Sequence, residues 1–362
     1  MPDDVIIASE STLYPASSLI QFIAYEVNTG PKDVVNKTFT TKTGDKFTLP
    51  WEGTYAGKRP ISEDIRLRCQ LMCRAIDTAH SNSHPAAKKV FVAPEFYFRG
   101  PIGAYTMDEY QSVLKTLRTH VRAERFKGWT FLFGTILAFS RPHEQTGWLV
   151  RQLTSRASWY PVDTAADAEI YNVCVVQEGG FGDLDKGADF CEAVMKDFRS
   201  DVDFVTKDAG PDGLILLKAD HMEHNKGASH SDKYGGGDGE VTVGGLKLGV
   251  EICLDHAKQR LLNRKKSVPV QLIPSCGMSI KAKAVVAQPG GWVFNCNGSS
   301  LAGDSTLRKV TSPAQTGVDA VLEPALAKES DTKVDVSGIP VADLFAQGGG
   351  RIVAYPPVML PS

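Results

Sequence analysis

Six short apolar segments recur along the chain, and each is closed by glycine, proline or charge. They are Lys89 to Ala93, Thr130 to Thr135, Asn172 to Gln177, Lys247 to Ile252, Val268 to Ile273 and Gly291 to Asn295. Runs this short and this apolar read as strands buried on both faces. Helical patterns fall between them. Ser62 is placed to cap a helix through about Ala79, with Glu63 and Asp64 in its first turn. Asp108 to Arg125 is a second helical pattern, and Asp255 to Lys265, rich in Lys and Arg toward its end, is a third. Strands alternating with helices in this way predict α/β layers.

Two stretches interrupt the rhythm. Val34 to Pro60 reads as a hairpin-like excursion rich in Thr, Gly and Lys. Lys207 to Glu240 is polar and holds three consecutive glycines, Gly235 to Gly237. A loop of that length inside a compact domain is commonly functional or mobile. No shift in composition divides the chain, so residues 1–362 are expected to form one domain with insertions near 34–60 and 207–240. The tail from about Leu322 is less regular and ends Tyr355-Pro-Pro-Val-Met-Leu-Pro361, which suggests an arm that packs on a neighbour.

Charge and composition exclude several classes. Lys and Arg number 40 against 42 Asp and Glu, a balance unlike that of proteins held to nucleic acid by bulk charge. The longest apolar candidate, Trp129 to Phe139, contains Gly134, Thr130 and Thr135 and is too short to span a bilayer. The first basic residue is Lys32, and Asp3 and Asp4 stand where a secretory signal would carry positive charge, so a soluble cytoplasmic protein is expected. The seven cysteines are odd in number and dispersed, with no CxxC pair, which fits reduced thiols better than a disulfide framework.

Two segments carry residues suited to chemistry. In Gly249-Val-Glu-Ile-Cys-Leu-Asp-His256 an apolar strand runs into Cys253, and a helix is expected from Asp255. A thiol at such a turn sits beside backbone N–H groups that no helix bond uses, where a thiolate is favoured. Taken alone, a buried structural cysteine is the commoner outcome. A thiol nucleophile needs a base. Of the eight histidines only His256 lies at a strand end, and it points along the helix. A carboxylate is the other choice. Glu95 ends the apolar run in Val90-Phe-Val-Ala-Pro-Glu-Phe-Tyr-Phe98, among three aromatic residues. Desolvation there suits a carboxyl group to general acid–base work.

These two segments, in this order, resemble the nitrilase (carbon–nitrogen hydrolase) superfamily. The resemblance spans about Phe91 to Asn297. It includes Tyr171-Asn172 with the following apolar run and Gly179-Gly180, as well as Phe133-Gly-Thr135 and Ile273-Pro-Ser-Cys276. It implies a four-layer α-β-β-α sandwich and a Glu–Lys–Cys triad. Glu95 matches the general base and Cys253 the nucleophile. Lys196, in Ala193-Val-Met-Lys-Asp-Phe198, is the favoured lysine, with Lys218 and Lys186 as competitors. Leu254, through its N–H, Asn172 and Tyr97 are the expected substrate-binding and oxyanion residues. Phe96, Tyr97, Phe98, Trp292 and Phe294 are candidates for a pocket wall, and for Trp292 and Phe294 core packing is the favoured reading. A second acidic residue, common in the family, has Asp203, Asp212 and Glu223 as candidates. The segment Leu254-Asp-His-Ala-Lys-Gln-Arg260 departs from the Arg, Phe, Pro and Glu that the family commonly carries after its nucleophile.

The resemblance implies cleavage of a non-peptide C–N bond in a small amide or nitrile through a thioester on Cys253, with no cofactor and no metal. It also implies a homodimer or higher homo-oligomer, with no nucleic-acid or membrane partner. Transfer of the acyl group to an amine would use the same thioester. A metal-dependent hydrolase built on His221, His224 and His230 is the alternative, although their spacing is not HExxH and they stand in a polar loop. A catalytically silent scaffold on the same fold is the remaining alternative.

Overall fold

The structure, a computed structural model, describes residues 19–40, 46–101, 103–140, 169–198, 238–299 and 303–361. Its strands are β1 (Leu19–Glu26), β2 (Lys32–Thr40), β3 (Lys46–Thr54), β4 (Lys88–Val92), β5 (Tyr105–Thr106), β6 (Trp129–Ser140), β7 (Glu169–Glu178) and β8 (Cys191–Met195). They continue with β9 (Glu240–Val243), β10 (Leu246–Val250), β11 (Val268–Ser275), β12 (Ala287–Asn297), β13 (Thr306–Ser312), β14 (Val321–Leu322), β15 (Ser330–Lys333), β16 (Arg351–Ala354) and β17 (Val358–Met359). The helices are α1 (Ile61–Ser81), α2 (Met107–Val121), α3 (Leu254–Ala257), α4 (Arg260–Asn263) and α5 (Val341–Leu344).

The strands form two large sheets and one separate pair. The first sheet runs β15-β16-β1-β4-β6-β7-β8, with β17 paired to β1 and β5 to β6. The second runs β14-β13-β12-β11-β10-β9. The excursion read as hairpin-like is the antiparallel pair β2–β3.

Side-chain alternation explains how the layers stack. On β1, Ile20, Phe22 and Ala24 join a buried cluster with Leu248, Val250, Leu272 and Phe294 of the second sheet. The intervening Ile23 and Tyr25 face the opposite way, into a cluster with Leu71, Met72 and Ile76 of α1 and Leu114 and Leu117 of α2. A strand with period-2 geometry can feed both clusters only if it is apolar on both faces. Each such side chain contributes about 1.5–3 kcal/mol when fully buried. The outer side of the second sheet is covered by short helical pieces, where Leu261 of α4 packs on Val268 and Val286.

Several expectations need correction. The helix expected from Asp255 to Lys265 is two short turns, α3 and α4, because Gln259 between them adopts a left-handed conformation with φ 59°. The first helix starts at Ile61 after Pro60, so Ser62 lies inside it and no side chain caps it. Thr106 caps α2 instead, in a reciprocal capping box with Glu109. Strands β1, β8, β9 and β13 lie outside the six apolar segments read from the sequence. The chain after Leu322, read as an irregular arm, supplies β15, β16 and β17 to the first sheet, with β16 and β17 both pairing antiparallel with β1. Most of the expected loop at 207–240, with Lys218, His221, His224, His230, Asp212 and Glu223, lies outside the described residues, as does Asp203.

Candidate active site

Strand direction determines which residues can meet. β4 runs parallel to β6, β6 antiparallel to β7, and β7 antiparallel to β8. β4 and β8 therefore point the same way, and the residues that follow them emerge at one edge of the sheet. Glu95 follows β4 and Lys196 follows β8. Lys196 Nζ donates to Glu95 Oε1 at 2.7 Å, and the Asn172 side-chain amide donates to the same oxygen at 3.0 Å. Glu95 and Lys196 are both 0% exposed. Two donors on one carboxylate oxygen hold it in one orientation. The backbone N–H of Lys196 also donates to the Asn172 carbonyl at 2.9 Å, so the β7–β8 ladder positions both side chains.

Cys253 arrives from the second sheet. It follows β10 and precedes α3, and it is 4% exposed. Its backbone is strained, with φ 48° and ψ −103°, in a region that residues other than glycine seldom occupy. The turn is tied down by Cys253 N–H to Pro274 O at 3.1 Å and His256 N–H to Cys253 O at 3.0 Å. The Cys253 thiol lies within electrostatic reach of both Glu95 and Lys196. Burial, then the Glu95 carboxylate, push the thiol well above its usual pKa, while Lys196 opposes them. A neutral thiol beside a carboxylate is an arrangement in which the proton can be handed over as the sulfur attacks. Leu254 is the first residue of α3, so its N–H is among the helix donors that have no partner within the helix.

The Glu95 turn has its own supports. Phe96 follows with φ 65°, and its N–H donates to the Thr135 hydroxyl at 2.9 Å. The Thr29 hydroxyl donates to the Glu95 carbonyl at 2.6 Å. Behind the turn, buried Arg68 donates to the Tyr97 carbonyl at 2.8 Å and pairs with Asp64 at 2.9 Å.

Not every expected residue reaches this place. Tyr97 turns into the core, where its ring packs on Tyr25, Phe98 and Phe345 and its hydroxyl donates to the Arg68 carbonyl. Phe98 is buried in the same cluster. Phe294 packs on Phe22 and Tyr355 between the sheets, and the Trp292 indole donates to Met359 O. Phe96 alone of these aromatics stands by the triad, with Lys196 Nζ 5.5 Å from its ring centroid and the Arg99 guanidinium 4.2 Å away. Lys186 lies in the 3-10 turn Leu184–Phe190, before β8.

His256 does not act on the sulfur. Its Nδ1 lies 2.6 Å from Glu251 Oε2, and its Nε2 accepts the Lys281 N–H at 2.9 Å. That pattern assigns the proton to Nδ1 and engages both ring nitrogens. Glu251 Oε1 accepts the Leu261 N–H at 2.8 Å, so the pair staples α4 beneath the cysteine turn.

Three further residues of the sequence motifs lie near this place. Burial, then the Glu95 carboxylate, push the Cys276 thiol up to about 12. Thr135 holds the Glu95 turn as above. Asp255 accepts the N–H groups of Asp197 and Phe198, the two residues after Lys196, at 3.1 and 2.9 Å. A helix-start acid is visible in the sequence, whereas the segment it grips is not.

Among the described residues no group of His, Cys, Asp and Glu side chains is arranged to hold a metal ion. No protein-family model matches the chain, and no curated protein sequence matches it. Among solved structures, the chain is similar to Saccharomyces cerevisiae Nit3, a member of branch 10 of the nitrilase superfamily. Identity is 13%, coverage is 95% of this chain and 90% of that one, and the TM-score is 0.43. It is similar to the nitrilase-superfamily amidase from Nesterenkonia sp. AN1 at 10% identity, covering 94% and 92% with a TM-score of 0.36. It is also similar to the glutamine-dependent NAD+ synthetase from Acinetobacter baumannii at 12% identity, covering 85% of this chain and 44% of that one with a TM-score of 0.34. The first two are proteins of the superfamily whose residue pattern this sequence resembles.

Proposed function

We propose that the protein is a thiol-dependent carbon–nitrogen hydrolase, an amidase, that cleaves a non-peptide C–N bond in a small molecule through a thioester on Cys253. One observation carries this reading. The buried Glu95 carboxylate accepts the Lys196 ammonium at 2.7 Å, and both charges act on the buried Cys253 thiol, although the three residues lie far apart in the chain. A buried base, cation and thiol that converge match what acyl transfer requires.

Each residue then has a task. Glu95 takes the thiol proton as the sulfur attacks the carbonyl carbon. The Lys196 ammonium and the Leu254 N–H stabilise the oxyanion that forms. Glu95 passes its proton to the departing nitrogen, and the amine leaves a thioester on Cys253. Water then gives a proton to Glu95 and attacks the thioester, and the acid product departs as that proton returns to the sulfur. Asn172 orients the carboxylate throughout. A nitrile would meet the same groups, with the sulfur adding to the nitrile carbon.

The test is intact-protein mass spectrometry after incubation with a panel of amides and nitriles. The expected result is a mass increase equal to an acyl group on the wild-type chain and none on Cys253→Ala. Turnover of a responsive amide by Cys253→Ala at the wild-type rate would overturn the proposal.

A further inference from the structure

Asp255 stands two residues after Cys253, in α3, and its carboxylate reaches back across the sheet boundary to the segment that carries Lys196. It accepts the Asp197 N–H at 3.1 Å and the Phe198 N–H at 2.9 Å. Arg260 of α4 completes the clamp. Its guanidinium donates to Asp255 Oδ2 at 3.1 Å and to the Met195 carbonyl at 2.8 Å, and it pairs with Asp197 at 2.9 Å. Lys196 is therefore bracketed. The residue before it is held by Arg260, and the two residues after it are held by Asp255.

We infer that Asp255 is a positioning residue that fixes Lys196 relative to Cys253, and that protonation of its carboxylate loosens this hold. The inference rests on the proposed Glu95–Lys196–Cys253 site. Asp255 is 0% exposed, between the turns that carry Cys253 and Lys196. Ionised, it is an acceptor only, with lone pairs for both N–H groups and for Arg260; protonated, it turns one oxygen into a donor facing donors.

The groups around it place the change near neutrality. Burial pushes the Asp255 carboxyl up to about 7. Arg260 pulls it down, Asp197 from the β8 side pushes it up, and Lys196 and the Phe198 N–H pull it down. Arg264, just after α4, acts through Asp197, which it meets at 3.2 Å. On its own element, the neighbouring His256 is committed to Glu251.

The experiment measures the rate at which 2-chloroacetamide labels Cys253, read by peptide mass spectrometry, in wild type and Asp255→Asn from pH 5.5 to 8.5. Asparagine mimics the protonated acid. The ratio of wild-type to variant rate is expected to rise from about 1 at low pH to about 10 at high pH, because an ångström of misplacement at a reacting centre costs up to ~100-fold. Taking a ratio divides out the ionisation of the thiol itself. A merely structural role gives a ratio that does not change with pH, and that result overturns the inference.

Glu95→Gln in the same assay separates the two levels of the argument. If it labels at the wild-type rate, the site reading fails and the inference with it. If it is slow while the Asp255 ratio stays flat, only the inference fails. Should Asp255→Asn not fold, hydrogen exchange on the wild-type chain decides. Amide protection in the peptide containing Asp197 and Phe198 is expected to fall below about pH 7, and protection that is constant with pH overturns the inference.

Discussion

Replacing Gly134 with alanine tests whether the Glu95 turn must lie where it does. Gly134 sits in β6 with φ +80°, at a shift in register between β6 and β7. A Cβ there would stand 2.4 Å from the Pro94 carbonyl oxygen and 3.0 Å from Tyr97 Cβ. The nearer obstacle is backbone one residue before Glu95, so no side-chain rotation relieves it. The Pro94–Glu95 segment must retreat by roughly 0.6 Å to reach the 3.0 Å limit that real Cβ atoms observe. A shift approaching 1 Å at a reacting group costs up to ~100-fold in rate. Positive φ adds about 1 kcal/mol for alanine, and the overlap adds about 1–3 kcal/mol. Gly128 provides the matched control, because it has φ +76° just before the same strand and nothing within 4 Å of the added Cβ. Gly128→Ala is expected to lower stability by only about 1 kcal/mol and to leave Cys253 labelling by 2-chloroacetamide within about twofold of wild type. Gly134→Ala is expected to fold, to melt lower than the control, and to label roughly 10-fold more slowly. Wild-type labelling in a folded Gly134→Ala protein would refute the reasoning. Equal losses in both variants would refute it too, since strain rather than displacement would then be the cause.

Two other outcomes follow from the same geometry. Lys196→Met leaves the buried Glu95 carboxylate without its cation and is expected to cost about 3–5 kcal/mol; the double variant with Glu95→Gln should recover most of that loss in thermal melting while Cys253 labelling stays low, and additive losses would contradict a direct pair. Asp255 also makes stability depend on pH. Its folded-state pKa is raised from 3.8 to about 7, so the folded chain binds the proton more tightly than the unfolded one. The contribution is fully present below about pH 4 and is lost as pH rises through about 7. The melting-temperature difference between wild type and Asp255→Asn should therefore shift against wild type between pH 5 and 8, opposite in sign to the labelling ratio, because the proton relieves a buried charge while it weakens an acceptor.

Residues whose roles depend on local pattern were legible. Cys253 lies where an apolar strand gives way to a helix start, and Glu95 where another apolar strand meets aromatic residues. The lysine needed more. Lys196, Lys218 and Lys186 are alike as residues, and the resemblance ranked them by distance along the chain. The structure brings Lys196 to Glu95 because β8 runs parallel to β4 in direction while two strands lie between them. Tyr97 shows the opposite outcome. It is adjacent to Phe96 in sequence, yet the left-handed turn at Phe96 sends its ring toward Tyr25 and Phe345 rather than toward Glu95 and Lys196. The tail was unreadable for a related reason. β16 and β17 are too short to announce themselves, and they become strands only by completing the edge that β1 offers.

The sequence by itself determined the layers, the thiol and the acid, because apolar periodicity and strand-end chemistry are properties of neighbouring residues. Only the tertiary structure decided which lysine meets that acid, which aromatic ring stands beside it, and that Asp255 grips the segment on either side of the sheet boundary. Those contacts depend on strand direction, register and the packing of one sheet on another, which relate residues that share no local pattern.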